Sequence, residues 1–113
     1  MIKVELLICR NKAIGFTAKG HAMYAQSGSD IVCSAVSALT QTALIGLLEV
    51  VGAKVDYTID DDGFIKCRIL EESECKLKSA DLILRVMYAG LCNIQTNYKE
   101  YLGVSEREVT GNV

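Results

Sequence analysis

The chain of 113 residues has a single histidine, His21, and no two cysteines at CxxC spacing. Its five thiols are Cys9, Cys33, Cys67, Cys75 and Cys92. With one imidazole and irregular spacing, they do not make a zinc site. Their odd number and the lack of a motif suit free thiols in a reducing cytosol. Basic residues are not in excess: 12 Lys and Arg face 14 Asp and Glu, a formal net charge of −2. A generic nucleic-acid binder would carry a basic face and a high pI, so no direct nucleic-acid partner is expected. The chain has no phosphate-binding glycine loop, no low-complexity tract and no linker. Its first residues, Met-Ile-Lys-Val-Glu-Leu, lack the basic start, apolar run and cleavage site of a signal peptide. The expectation is one domain over 1–113, cytoplasmic, with no cofactor and no metal.

Ile31 to Val51 is apolar and long enough to invite a membrane reading. Ser34, Ser37, Thr40, Gln41, Thr42 and Glu49 interrupt it, and neither end carries a basic cluster. A buried helix in a soluble protein is the expectation, with no membrane partner.

Half of the residues are hydrophobic, and their spacing lays out the fold. Ile2, Val4, Leu6 and Ile8 alternate with other residues, and Ile14, Phe16 and Ala18 continue the alternation after the Arg10-Asn11-Lys12 turn. Residues 2–19 therefore read as a hairpin. A small-residue loop over 20–29 follows, then a helix over 30–51 stopped by Gly52. Val55, Tyr57 and Ile59 make a third strand, Asp60 to Gly63 a turn, and Phe64 to Leu70 a fourth strand. The Asp60-Asp61-Asp62-Gly63 run fits a calcium loop poorly and reads as a solvated hairpin turn. A second helix, from Leu77 or Ser79 to Leu102, carries Ala80, Leu84, Met87, Leu91, Ile94, Tyr98 and Tyr101 at alternating steps of four and three, and Gly103 ends it. Val104 to Val113 is a candidate edge strand. The expected fold class is α+β: two layers, ββαββα(β), with one mostly antiparallel sheet and two long helices on one face.

Cys33 follows His21 by twelve positions, across the loop and at the mouth of the first helix. Imidazole and thiol at the two mouths of one loop are what a cysteine hydrolase needs. Asp30 is a suitable N-cap, which would make Cys33 the third helical residue and let the helix dipole favour its thiolate. The expected chemistry is attack by Cys33 on a peptide carbonyl, backbone N–H groups on the oxyanion, and proton transfer by His21. Ser37, one turn after Cys33, could orient His21 or bond the thiol, or simply bond the carbonyl four residues back. Asp30 could orient the histidine or act structurally alone. The plain alternative is a small core cysteine and an unrelated polar histidine.

The string Gly20-His21-Ala22, Tyr24-Ala25, Gly28, Asp30-Ile31-Val32-Cys33-Ser34-Ala35-Val36-Ser37 resembles the signature of the ribosomal-processing cysteine protease Prp family. The resemblance implies a nucleophile at Cys33, a base at His21, and support from Gly20, Asp30 and Ser37. It implies removal of an N-terminal extension from ribosomal protein L-twenty-seven, so that the partner is the leader of a basic ribosomal protein. It also implies a homodimer, which suits a first helix apolar on more faces than one sheet covers. The loop would close over the substrate, with Ser27 and Gly28 giving mobility and Met23 and Tyr24 lining a pocket. Two other readings use the same residues: a non-catalytic ribosome-associated binding module, and a cysteine hydrolase acting on an amide or thioester.

Overall fold

The computed structural model describes residues 1–20, 27–60 and 64–110, with 27–30 described by their backbone. The element order is β1 (Ile2–Cys9), β2 (Lys12–Lys19), α1 (Ser27–Ile45), β3 (Val55–Ile59), β4 (Ile65–Ile69), α2 (Glu74–Asn97) and β5 (Leu102–Glu108). This is the α+β arrangement read from the hydrophobic pattern. The sheet runs β3-β4-β2-β1-β5. Both hairpins are antiparallel, and they join side by side through β2 and β4, with Phe16 opposite Cys67. Only β5 runs parallel to its neighbour β1, with Ile2 opposite Leu102.

Alternation decides which side of the sheet is covered. Ile2, Val4, Leu6, Phe16, Ala18, Ile65 and Cys67 face the helices and are buried. Across from them Val32, Val36, Leu44 and Leu47 of the first helical stretch, and Ala80, Leu84, Met87 and Leu91 of α2, complete one continuous core. The α2 stripe is the one the four-and-three spacing marks. Beside a bulge in the β1–β2 pairing between Leu7 and Ile8, Gly15 lies against β4, opposite Arg68. A Cβ at Gly15 would fall 2.2 Å from the Cys67 carbonyl oxygen, so no other residue fits that crossing without a shift.

Three boundaries differ from the sequence expectation. First, α1 begins at Ser27, not at Asp30. Serine, glycine and aspartate are all favoured at a helix start, and the acidic residue gains from the dipole inside the first turn. Ser27 and Gly28, expected in the loop, are therefore helical, and Cys33 is the seventh helical residue rather than the third. Second, α1 widens into a π-helical segment at Gly46–Val51 before Gly52, at φ 69°, ends it as expected. Third, α2 starts at Glu74 because Ser73 caps it, its hydroxyl accepting the Lys76 N–H. That helix stops at Asn97, since Tyr98 leaves the helical region and Tyr101 and Leu102 turn back by donating to the Tyr98 carbonyl. Leu102, expected at the helix end, is instead fully buried and opens β5, and Gly103 lies within that strand.

The stretch Ile31–Val51 is long and apolar enough to cross a membrane by composition, yet only 33% of its most apolar window is buried. The expectation of a buried helix holds for the face carrying Val32, Val36, Thr40, Ala43 and Leu47, while Ile31, Ile45 and Val50 are exposed.

Candidate active site

Of the residues singled out from the sequence, His21, Met23 and Tyr24 lie outside the described residues. The rest can be placed from the chain upward. β2 ends at Lys19, and Gly20 follows at φ 103°, a conformation that disfavours any side chain. A Cβ at Gly20 would also lie 2.4 Å from the Met1 carbonyl oxygen. Glycine at this point therefore fixes how the chain leaves the sheet, one residue before His21.

On α1, Cys33, Ser37 and Gln41 follow one another at four-residue steps and share a face. That face looks onto a cleft of about 230 Å³. Gly20, Ile2 and Ala18 from the β1–β2 end form one side of the cleft, and Ile59, Asp60, Phe64 and Ile65 from the β3–β4 hairpin form the other. Cys33 is half-buried and packs against the core, so its thiol sits on an apolar base while facing open space. Cβ atoms on a helix tilt toward its N-terminus, which aims the sulfur back over the first turn, where backbone N–H groups have no helical acceptor. The later placement of Cys33 along α1 thus weakens the dipole argument, and the free donors are those of the turn that begins at Ser27, not those after Asp30.

Ser37 is exposed, and its hydroxyl makes no hydrogen bond among the described residues. Thr40 bonds backward along the helix instead: its buried hydroxyl donates to the Val36 carbonyl at 2.8 Å. Ser37 is therefore free to point into the cleft. Asp30 lies in the first turn of α1. The Asp60 side chain accepts the Phe64 N–H at 3.0 Å, and the Phe64 carbonyl accepts the Asp60 N–H at 3.0 Å. This reciprocal pair joins the ends of β3 and β4; Asp61, Asp62 and Gly63, read as the turn, lie outside the described residues. Sequence reasoning did not find the far wall of the cleft, Ile59, Asp60 and Phe64. No local pattern marks it, because it depends on β4 lying beside β2.

The other cysteines do not compete for this role on position. Cys67 is sealed in the core, where burial first and the Asp56 carboxylate second push its thiol up to about 12. Cys75 is exposed near the start of α2, away from the cleft.

A partly exposed thiol lining a cleft can serve a thiol hydrolase, and comparison with known proteins identifies the family. The model of the family described as cysteine protease Prp matches residues 1–103. The chain belongs to the Prp family. It is 30% identical over 109 residues to the ribosomal processing cysteine protease Prp of Bacillus subtilis (strain 168), spanning 93% of this chain and 96% of that protein. It also resembles the essential ribosomal processing protease Prp from S. aureus, solved in complex with a substrate peptide, at 25% identity and a TM-score of 0.82, covering 95% of this chain and all (100%) of that one. A second S. aureus Prp structure, with a covalently linked product peptide, matches at 26% identity and a TM-score of 0.81, again over 95% and 100% of the two chains. Membership of the Prp family makes this chain a cysteine-type peptidase, a hydrolase.

Proposed function

We propose that this Prp-family protease removes the N-terminal extension of ribosomal protein L-twenty-seven, with Cys33 as nucleophile and His21 as general base and acid. The observation that carries the assignment is the half-buried Cys33 opening onto a cleft bounded by Ile2, Ala18, Ile59 and Phe64. Such a cleft suits an extended leader with apolar side chains. The S. aureus relative holding a substrate peptide supports a peptide as the ligand class.

The steps follow from the groups present. His21 takes the proton of Cys33, and the sulfur adds to the scissile carbonyl carbon. The carbonyl oxygen becomes an oxyanion, held by unpaired N–H groups at the start of α1. His21 gives its proton to the leaving nitrogen, the C–N bond breaks, and the mature protein departs with a new amino terminus. Water, deprotonated by His21, then cleaves the thioester and releases the leader as a carboxylate. Ser37, one turn beyond Cys33 and unbonded among the described residues, orients the imidazole, and Asp30 acts from the first turn. Ser27 and Gly28 start the helix against which the leader lies. In the cytoplasm the thiol of Cys33 stays reduced, as the nucleophilic step requires.

The working unit in this reading is a homodimer. Leu39, Ala43, Gly46, Leu82, Val86 and Met87 form an apolar groove between the two helices, and Ile45, Leu82 and Val86 are more than half exposed. A second copy would cover this face, and Ile45→Glu with Leu82→Asp should give a monomer in sedimentation velocity.

The deciding experiment is a fluorogenic peptide spanning the leader junction. Wild-type protein should cleave it, and Cys33→Ser and His21→Ala should not, with circular dichroism unchanged. Normal turnover by Cys33→Ser would remove the nucleophile assignment, and cleavage of thioesters but not of the junction peptide would point to another substrate.

A further inference from the structure

The sheet has a second face, which no helix of the described residues covers. On it stand Lys3 and Glu5 of β1, Thr17 and Lys19 of β2, Lys66 and Arg68 of β4, Asp56 and Thr58 of β3, and Ser105 and Arg107 of β5, with Leu7 buried toward one end. Five cations and two carboxylates share this face, in a chain whose formal net charge is −2. The fold thus separates charge that the composition averages out.

Within the face, Lys3 lies directly opposite Lys19 in the β1–β2 pairing, and Lys66 is one strand over, opposite Thr17. Like charges directly opposite each other destabilise a sheet. A carboxylate could relieve the pair, but Glu5 is already engaged: Arg107 donates to it at 3.3 Å and the Thr17 hydroxyl at 3.5 Å. Among the described residues, Lys3, Lys19 and Lys66 have no ion pair. Arg68 is also engaged, donating to the Thr110 carbonyl. The three lysines are therefore the face's uncommitted charge, and the opposed pair Lys3 and Lys19 is held at a cost to the sheet.

Lys3 and Lys19 border a groove of about 480 Å³ that runs from Lys19 across β1 to the edge of β5, with Thr17, Ser105 and Gln95 along it, and Lys66 stands beside it on β4, opposite Thr17. Gln95 reaches the β5 edge, where its Oε1 accepts the Val104 N–H at 2.6 Å, leaving its amide N–H groups to donate outward. Ammonium, hydroxyl and amide donors along one groove match phosphate oxygens. No aromatic side chain of the described residues stands on the face, so they offer bases nothing to stack on. It also lacks the buried aromatic anchor on which protein interfaces rely, Met1 and Val104 lying only at the groove's rim. We propose that this open face, through Lys3, Lys19 and Lys66, docks the sugar-phosphate backbone of RNA without reading its sequence. The sequence expectation of no nucleic-acid partner rests on net charge, which does not describe one face.

The test uses the full chain with the Cys33→Ser substitution, so that its outcome is independent of proteolysis. Anisotropy of a fluorescein-labelled single-stranded RNA should report binding that weakens with salt at a slope near −2 in log K against log salt, as about three contacts require. Lys3→Gln with Lys66→Gln should weaken binding about tenfold or more at low salt and flatten that slope. Lys3→Glu should weaken binding while raising the melting temperature by about 2 °C, because it turns the opposed lysine pair into an attractive one. A structural role for Lys3 would move both in the same direction. The same lysine changes in the cysteine-containing protein should leave cleavage of the free junction peptide within about twofold. The proposal is overturned by absence of RNA binding at low salt, by variants that bind as wild type, by polyglutamate competing as well as RNA, or by loss of peptide cleavage along with RNA binding.

Discussion

Two cysteines of this chain touch the same core and have opposite prospects. Cys67 stands on β4 between β3 and β2, with side chains over it and no solvent exposure. Ionising it would place a charge in an apolar interior, close to a carboxylate, and both effects hold the proton on. Cys33 leans on the same cluster from the side, at the end of the sheet where the cleft opens. The atom type is shared, and only the second can meet a substrate or a base. Reactivity here is a property of where the framework ends.

Replacing the two sulfurs should separate them sharply. Cys33→Ser should lower junction-peptide turnover by about a thousandfold or more without changing the unfolding midpoint, whereas Cys67→Ser should retain turnover per folded molecule. Iodoacetamide near neutral pH should label Cys33 and leave Cys67 untouched until the protein unfolds, which peptide mass mapping would read; labelling of both at equal rates would erase the distinction. The next effect belongs to the core that seals Cys67. Leu84→Ala removes a fully buried side chain from α2 and should cost about 3 kcal/mol in urea unfolding. A smaller effect is alkaline. The Cys67 thiol has an ordinary value of 9.0 and is raised to about 12 in the folded chain. The unfolded chain therefore loses that proton first, so the stability it contributes is complete below pH 9 and declines as pH rises toward 12. Cys67→Ala should flatten this part of the pH–stability curve. The smallest effect expected is Thr40→Val: the lost hydroxyl bond to Val36 should cost about 1 kcal/mol or less, with cleft activity kept.

Local pattern carried much of the architecture. Period-two alternation in Ile2–Ile8 and the four-and-three spacing of Ala80–Leu91 each report which side faces the core, and the structure buries those residues. What failed was read past the reach of local pattern. Tyr98 and Tyr101 continue the α2 stripe perfectly well as helix, and only the pairing of Leu102 with Ile2 explains why the chain turns away before them. The start of α1 was equally ambiguous, since Ser27, Ser29 and Asp30 can each begin a helix. At the cleft, the near side was visible as Cys33 with Ser37 one turn further along the helix. Its far side, Ile59, Asp60 and Phe64, follows from Ala18 pairing with Ile65 across the two hairpins, a contact that nothing in either segment announces.

The parallel seam between β1 and β5 has a consequence for how the protein is made. Ile2 meets Leu102, so β1 leaves the ribosome well before the strand that joins it. At about 5–20 residues per second, β1 waits roughly 5–20 s for its second neighbour. During that interval β2 covers one edge of β1, while the other lies bare, with the charged Lys3 and Glu5 discouraging other chains from adding to it. Ile2 also borders the cleft. Because β1 carries Ile2 into both the seam and the cleft wall, undocking β5 would also loosen the wall beside Cys33.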